Sequence, residues 1–503
     1  MNFVDSLLNR ITMYRLVLYY LTALVIAAVV LAFFGLVPYS PVHILFSTAL
    51  ALATCWVVNT LFAYVFKAQP GVESVYITAF ILALIIAPIA PSNIGAAPFL
   101  LYACVAAMAS KYILAFEKKH IFNPAAIGVV AVSLVLGGGA TWWVAGSSAL
   151  QVLVLIGGLL VVRKMQRFDM VLCCMVAAIA VITATTRGAS NILAPGWEML
   201  LYSPLFFFAF LMLTEPFTTP PTRWLRLAYG ALTGVLFAPA LHIGSIYSTP
   251  ELALVVANLF SYAVSPKWRL MLTLKRVEQS SSSSTDFVFE PDRKVSFKPG
   301  QYLEWTLPHA HSDTRGNRRY FTIASSPTEK EVRLGVKFYP EPSTFKKALR
   351  ALTPGARVSA SQLAGEFTLP SGLTQKMVFI AGGIGITPFR SIVQDLLDTK
   401  QRCDIVLLYS NKTESDIAYR DIFSRAETLG LRVRYAITDG LSTMPNAVKK
   451  LDAAFIKTDV PDYQERLFYI SGPHGMVTAF LKTLRELGVP SRHIKIDFFP
   501  GLV

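Results

Sequence analysis

Apolar positions run together in long blocks from the start of the chain to about residue 265. Beyond that point they alternate with polar ones or recur at helical spacing. Ten apolar segments can be drawn in the first part, at roughly 16–36, 43–66, 75–90, 97–116, 125–141, 149–162, 170–186, 199–213, 227–241 and 250–265. A simple spanning helix needs about 20 such residues. Several segments are shorter, and FILALIIAPIAP is interrupted by proline, which predicts broken or half helices. The opening MNFVDSLLNRITMYR leads into one apolar run with more to follow, so that run reads as a first anchor and not as a cleaved leader.

The second part has two patterns. From 268 to 370, short alternating runs (MLTLKRVE, TDFVFE, YLEWTL, RYFTIAS, EVRLGVKFY, RVSASQLAG) are separated by turn signals such as KPGQ, which predicts a small antiparallel β-barrel. The polar SSSSST at Ser280–Thr285 reads as a hairpin tip because strand-like runs flank it. From 376 the runs KMVFIAGG, CDIVLLYS, LRVRYAIT and RLFYISG alternate with the amphipathic helices FRSIVQDLLDT, a segment near Ala418–Leu429, and GMVTAFLKTLREL. Strand alternating with helix predicts an α/β doubly wound parallel sheet.

Charge sharpens this division. Only 15% of residues are charged, against about a quarter in ordinary soluble domains, and most of them lie in the second part. A wholly soluble chain and a disordered one are both excluded. With the N-terminus inside, the inner loops carry Arg10, Arg15, Lys67, Lys118, Lys119, Arg163, Lys164, Arg167, Arg223, Arg226, Lys267 and Arg269, whereas Arg187 is the outer exception. That is the positive-inside pattern. An even number of spans puts both termini and the second part in the cytoplasm, on an inner, multi-pass membrane protein. The net charge of +15 is accounted for by these loops and by cations for nucleotide phosphates, without nucleic acid.

Cysteine and histidine exclude two cofactors. Cys55, Cys104, Cys173, Cys174 and Cys403 form no CxxC, so a fused iron–sulfur ferredoxin and a disulfide framework find no support. His43, His120 and His242 lie in different segments, too few for two bis-histidine haems. No metal site is expected. Glu73 and Glu215 each precede an apolar stretch ending Ala-Pro (ESVYITAFILALIIAP and EPFTTPPTRWLRLAYGALTGVLFAP), an internal symmetry that five spans per half would make an inverted repeat. Carboxylates at span boundaries are functional candidates, and a cap or interfacial role is the ordinary alternative.

KHIFNPAAIGVV, ESVYITAFILAL and FLMLTEPFTTPPTRWLRLAYGALTG resemble the D-type membrane protein of Rnf electron-transport complexes. They equally resemble its B-type counterpart in the sodium-translocating NADH:quinone reductase, and the resemblance covers residues 15–265. It implies a ten-helix flavin-binding electron carrier. That family attaches FMN to a threonine in a (Ser/Thr)-Gly-Ala-Thr motif with an acidic residue upstream. Here GGGATWW offers Gly139, Ala140 and Thr141 without the acid. Thr141 is a candidate attachment point; the alternatives are a small-residue turn, with Trp142 and Trp143 as interface anchors, and a flavin (FMN or riboflavin) held without a covalent bond.

In the second part, Gly382, Gly383 and Gly385 of GGIGITP sit at a strand-to-helix turn with Thr387 and Pro388, where glycines let the backbone approach a pyrophosphate. SGPHG (Ser471, Gly472, Pro473) ends a later strand, where such sheets bind ligands. RRYFTIASSP suits a flavin: Arg319 for the pyrophosphate, Phe321 or Tyr320 over the ring system, and Thr322 at the ring edge. EPSTFKKAL offers Ser343 and Thr344 at a helix start, as an anion cradle or simply a cap. Each motif also has a bland reading, as a tight turn or an amphipathic strand.

In this order the motifs resemble the ferredoxin–NADP reductase superfamily over residues 268–503. The resemblance implies that Arg319 and Thr322 bind FAD and Phe321 stacks on it, that Ser343 and Thr344 touch its pyrophosphate, and that Gly382–Pro388 cradle the nicotinamide nucleotide, which Gly472 and Pro473 guide to the flavin. Ser471 stands where the family often has Cys. The family's C-terminal aromatic falls on Phe498 or Phe499, with Asp497 as a polar neighbour. Thr322, Ser471 and Phe499 are taken as lining the reacting centre. Ser410, Lys412 and Arg420 bear on NADH against NADPH, which stays open.

The sequence thus predicts a polytopic helical membrane domain (1–266) fused to an FAD-binding antiparallel barrel (267–372) and an NAD(P)H-binding α/β domain (373–503). Electrons are expected to pass from NAD(P)H through FAD to a second flavin in the membrane domain, then to a quinone or an outer-face acceptor. Two alternatives stand beside it: an anchored flavin reductase serving a soluble partner, and a nucleotide-gated or redox-coupled ion transporter.

Overall fold

The computed structural model describes residues 8, 11–67, 72–116, 119–186, 194–239, 241–244, 246–265, 269–309, 313, 316–370, 372, 375–439, 444 and 447–497. They form two compact units, residues 10–267 and 268–503.

The first unit is helical. Its helices are α1 (Met13–Phe33), α2 (Pro41–Val65), α3 (Val72–Ile85), α4 (Pro98–Ile113), α5 (Pro124–Leu136), α6 (Ser148–Met165), α7 (Phe168–Thr185), α8 (Ala194–Tyr202), α9 (Leu205–Met212), α10 (Arg223–Phe237) and α11 (Pro250–Val264). Among the described residues, five helices are long and apolar enough to cross a membrane, or six if α8 and α9, bent by 68°, count as one span. The outward faces are apolar too: Phe33, Tyr64, Val135 and Trp224 are each more than three-quarters exposed. A helix apolar on all sides belongs in lipid or in a large core.

The shorter helices follow a local rule. α5 and α11 each begin with proline at N1, where no N–H is needed. Each is capped by the residue before, with Asn123 Oδ1 accepting from Ala126 N at 3.1 Å and Thr249 Oγ1 accepting from Leu252 N at 3.3 Å. A two-stranded hairpin precedes each cap, β1 (Ala115–Phe116) with β2 (Lys119–His120) and β3 (His242–Ile243) with β4 (Ile246–Tyr247). Helix, hairpin, proline-started helix therefore occurs twice. Small residues bring backbones into contact, and a Cβ on Gly234 of α10 would lie 2.1 Å from the Cys174 carbonyl of α7.

The second unit has two sheets. Strands β5 (Leu270–Ser281), β6 (Ser284–Pro291), β7 (Tyr302–Thr306), β8 (Arg318–Thr322), β9 (Val332–Lys337) and β10 (Arg357–Ala364) make an antiparallel sheet ordered β8-β7-β10-β5-β6-β9. Its core face alternates, with Leu270, Leu272 and Leu274 buried along β5. The sheet curls until its edges meet, and Ala324 N donates to the Arg333 carbonyl at 2.9 Å. A short helix α12 (Thr344–Arg350) lies between β9 and β10. The serine-rich segment is a hairpin tip between β5 and β6, and Ser283 Oγ hydrogen-bonds Asp416.

The parallel sheet runs β13-β12-β11-β14-β15, with β11 (Met377–Gly382), β12 (Ile405–Asn411), β13 (Leu431–Ile437), β14 (Leu467–Ser471) and β15 (Ile494–Asp497). It alternates with α13 (Thr387–Asp398), α14 (Arg420–Ala426), α15 (Ala453–Asp459) and α16 (His474–Glu486). β11 is buried along its whole length, as a central parallel strand must be. Phe379 and Met377 face one core with Phe389 and Phe423, while Val378 and Ile380 face another with Phe480 and Leu484. Strand β15 and helix α15 go beyond the elements read from sequence.

Candidate functional site

The order of the parallel sheet reverses at β11, whose neighbours are β12 and β14, and ligands of such sheets bind at that switch point. The Gly382–Pro388 turn leaves β11 there. Gly385 is sterically required, since a Cβ there would lie 2.5 Å from the Ser471 carbonyl, and a Cβ on Gly382 would press on Met476 Sδ at 2.4 Å. The turn therefore rests directly on the loop of Ser471, Gly472 and Pro473. Gly383 holds φ +51°, which favours glycine. Thr387 and Pro388 open α13, the proline near its start.

Three polar side chains converge beside these loops. Ser471 ends β14 and pairs in register with Asp497 at the end of β15. Ser471 Oγ donates to Asp497 Oδ2 at 3.4 Å, and the hydroxyl of Thr322 on β8 bears on the same carboxyl. All three are buried, Asp497 being 7% exposed. Burial pushes the Asp497 carboxyl up to about 7, while the hydroxyls of Ser471 and Thr322 pull the other way. Sequence reasoning noted Asp497 only as a neighbour; no spacing signal links it to Thr322, 175 positions away. Phe498 and Phe499 lie outside the described residues.

A second cluster lies along the other face of β8. Arg319 and Phe321 alternate with Tyr320 and Thr322. The Arg319 guanidinium sits 5.2 Å from the Phe345 ring centroid and pairs with Asp313 Oδ1 at 3.0 Å. Phe321 lies 5.9 Å from the same ring. Ser343 Oγ caps α12, accepting from Lys346 N at 3.3 Å, and Thr344 Oγ1 accepts from Asp313 N at 3.0 Å and lies 3.1 Å from His309 Nε2. Arg319, Phe321, Ser343 and Thr344 are thus brought together, with Asp313 and His309 added. Tyr320 stands outward, 42% exposed, edge-on to Tyr302. A cation over an aromatic ring beside two hydroxyls fits the diphosphate end of a flavin nucleotide.

In the helical unit the polar candidates separate. Glu73 pairs with Arg15 at 2.8 Å. Glu215 takes His120 Nε2 at 3.0 Å on one oxygen and Asn123 Nδ2 at 2.9 Å on the other. Asn123 N donates to Asn258 Oδ1 at 2.8 Å, and Asn258 Nδ2 to Tyr229 OH at 2.9 Å. Glu251, 3% exposed on α11, accepts from Trp142 Nε1 at 2.8 Å; sequence reading passed over it. Thr141 caps α3, its N donating to the Ile85 carbonyl at 2.9 Å and its Oγ1 to the same oxygen at 3.3 Å. Trp142 and Trp143 are buried, 5% and 7% exposed, and so do not serve as interface anchors. Their indole N–H groups found acceptors inside the fold, Trp143 at the Ala83 carbonyl. Ser410 is half-buried at the end of β12, whereas Lys412 and Arg420 are exposed beside it.

Residues 138–266 match the NQR2, RnfD, RnfE family, and residues 379–482 match the oxidoreductase NAD-binding domain. The NQR2, RnfD, RnfE match runs from the glycine turn before Thr141 to the end of α11, and the NAD-binding match from β11 into α16. A flavohemoprotein of Rhodopirellula baltica is 25% identical over 249 residues, 46% of this chain and 60% of that protein. An NADPH oxidoreductase of Mycobacterium tuberculosis is 28% identical over 224 residues, 43% of this chain and 56% of that protein. The FAD/NAD-binding domain of a nitric oxide dioxygenase from Vibrio cholerae is 19% identical with a TM-score of 0.41, covering 45% of this chain and 97% of that one. The chain spans about 60% of the length of the first of these curated relatives.

Proposed function

We propose that the protein is an NAD(P)H-dependent flavin oxidoreductase that feeds electrons into its own membrane unit. The observation that carries this is the meeting of Thr322, Ser471 and Asp497 against the two glycine turns. Arg319, Ser343 and Thr344 hold the diphosphate of FAD, Phe321 covers its ring system, and Thr322 meets its edge. Gly382, Gly383, Gly385, Thr387 and Pro388 receive the nucleotide, while Gly472 and Pro473 steer the nicotinamide. When bound, FAD would supply an acceptor for the nicotinamide hydride and a route for passing its two electrons on singly. Below pH 7 Asp497 holds a proton on its carboxyl and keeps negative charge away from the point where the hydride arrives. Ser471 and Thr322 fix that carboxyl in place.

The helical domain (1–266) carries a second flavin, FMN or riboflavin, and passes electrons to a quinone or an outer-face acceptor; the barrel (267–372) and nucleotide domain (373–503) face the cytoplasm of an inner membrane. The match of residues 138–266 supports the electron-carrier reading. The helix, hairpin and capped proline-started helix built twice supports an internal repeat, in a register that pairs α4 and α5 with α10 and α11 and not the Glu73 stretch with the Glu215 stretch; we read it as inverted. Thr141 is the residue that would carry a covalent flavin. Anaerobic titration of the purified full chain with NADH and with NADPH tests the reductase step: one nucleotide bleaches the bound flavin stoichiometrically. Flavin left oxidised by both would reject the proposal.

A further inference from the structure

The barrel and the nucleotide half are joined by buried polar contacts at two particular places. Helix α13 follows directly from the nucleotide turn. Its Arg390, 5% exposed, donates from Nη1 to the Ala324 carbonyl at 3.0 Å and from Nη2 to Glu329 Oε1 at 2.9 Å. Its Ser391, fully buried, donates to the Ser325 carbonyl at 2.6 Å. Ala324 and Ser325 lie two and three positions after Thr322 on the flavin strand. One turn further along α13, Asp395 Oδ1 accepts from Ser326 Oγ at 3.1 Å.

A second strut runs beside the first. Tyr419, at φ +60°, donates from its hydroxyl to Asp286 Oδ1 at 2.6 Å, and Arg333 holds the other oxygen of that 1%-exposed carboxylate at 2.8 Å. The strained backbone at Tyr419 persists because the phenol is held by its hydroxyl and by its ring: Arg390 lies 5.8 Å from the ring centroid. Gly335 of β9 makes the approach possible, since a Cβ there would lie 2.7 Å from the Tyr419 hydroxyl oxygen and 2.8 Å from Thr387 Cγ2. Thr387 is the first residue of α13. The first strut therefore ends on α13, which carries the nucleotide turn; the second ends on Tyr419 at the start of α14, whose ring lies against Arg390 of α13, and both reach it from the flavin barrel.

We infer that Arg390, Ser391 and Tyr419 are positioning residues for hydride transfer, locking the Gly382–Thr387 turn to the Thr322–Ser325 strand end so that nicotinamide and flavin meet at a fixed separation. The inference rests on the flavin reductase reading above. In that step the C4–H bond of the reduced nicotinamide breaks, the hydride takes both electrons to the flavin ring, and NAD(P)+ leaves. A misplacement of about 1 Å in such a geometry lowers the rate by about a hundredfold. None of the three residues needs to touch either reactant for this.

The test uses the full chain with its flavin bound and three variants, Ser391→Ala, Tyr419→Phe and Arg390→Lys. Three quantities are read: the rate of flavin reduction at saturating NADH or NADPH, the nucleotide Kd from the concentration dependence, and hydrogen exchange at the amides of residues 322–326. Ser391→Ala and Tyr419→Phe are expected to slow reduction about tenfold and Arg390→Lys about a hundredfold, with Kd within about twofold of wild type and full flavin content. Exchange at 322–326 rises in the same order. Equal reduction rates in wild type and variants, or rates that fall only in proportion to lost flavin, would overturn the inference. If Arg390→Lys fails to fold, the two milder variants decide. A wild-type protein reduced by neither nucleotide would overturn the reductase reading and the inference together; a wild type reduced no faster than its variants overturns the inference alone.

Discussion

Two glycine-rich turns look alike in this sequence, GGIGITP and GGGATWW, and the structure uses them in opposite ways. In the first, glycine is there for closeness, because a Cβ on Gly385 would strike the Ser471 carbonyl. In the second, no atom lies within 4 Å of a Cβ built on Gly137 or Gly139. There the need is conformational: Gly137 and Gly138 hold φ +74° and +79°, turning the chain so that Thr141 caps α3 and Trp142 and Trp143 enter the core. Alike in sequence, the two runs differ in what lies against them: a second backbone in the first, open space in the second.

The sharpest break of that contrast is Gly385→Ala. It should slow reduction by NAD(P)H at least about a hundredfold, since the loop against Ser471 and Gly472 must shift; rapid reaction with limiting nucleotide measures it. Next is Asp497→Asn. The wild-type reduction rate should fall about tenfold as pH rises through 7, because the ionised carboxylate repels the arriving hydride, and the variant's profile should be flat. Stability follows with a defined sign. The native state keeps a proton on Asp497 that the unfolded chain loses near 3.8, so stability falls from about pH 4 to pH 7 and levels off above, and Asn removes that slope.

On the membrane side, Trp142→Phe strips an indole donor from buried Glu251. It should cost about 1–3 kcal/mol of stability while leaving reduction by NAD(P)H unchanged; thermal unfolding in detergent and the reduction rate of the same sample check the two halves of that statement. The smallest effects belong to the open turn itself. Gly138→Ala forces a side chain into a left-handed backbone and should cost about 1 kcal/mol, whereas Gly139→Ala, at an unstrained φ with free space, should change the melting temperature by less than about 2 °C.

Much of this fold was legible in the pattern of apolar positions. Each apolar block contains a helix, because in lipid the backbone must satisfy itself internally. The six barrel strands and the alternating strands and helices after residue 376 follow from period 2 and period 3.6. Strand β15 escaped because IKID is short and its partner β14 lies more than twenty positions away. The site was half legible. Glycine turns and the RRYFT strand announce themselves, but Asp497 acquires its meaning only when β15 brings it beside Thr322 and Ser471. Asp313 and His309 likewise become neighbours of Arg319 and Thr344 by folding alone. Trp142 and Trp143 read as surface anchors because tryptophan is common at membrane interfaces; the acceptors that hold them inside, Glu251 and the Ala83 carbonyl, are distant in sequence.

The central claim is that electrons leave the reductase flavin for a second flavin in the helical unit. Counting flavin in the purified full chain, before and after denaturation, and following its reduction by NAD(P)H tests this most directly. The account predicts two flavins per chain, the second reduced only after the first; flavin retained on the denatured chain would assign Thr141 as its attachment point, and full release would leave Thr141 as the cap of α3. A single flavin per chain, fully released on denaturation, would contradict the account and leave an anchored reductase.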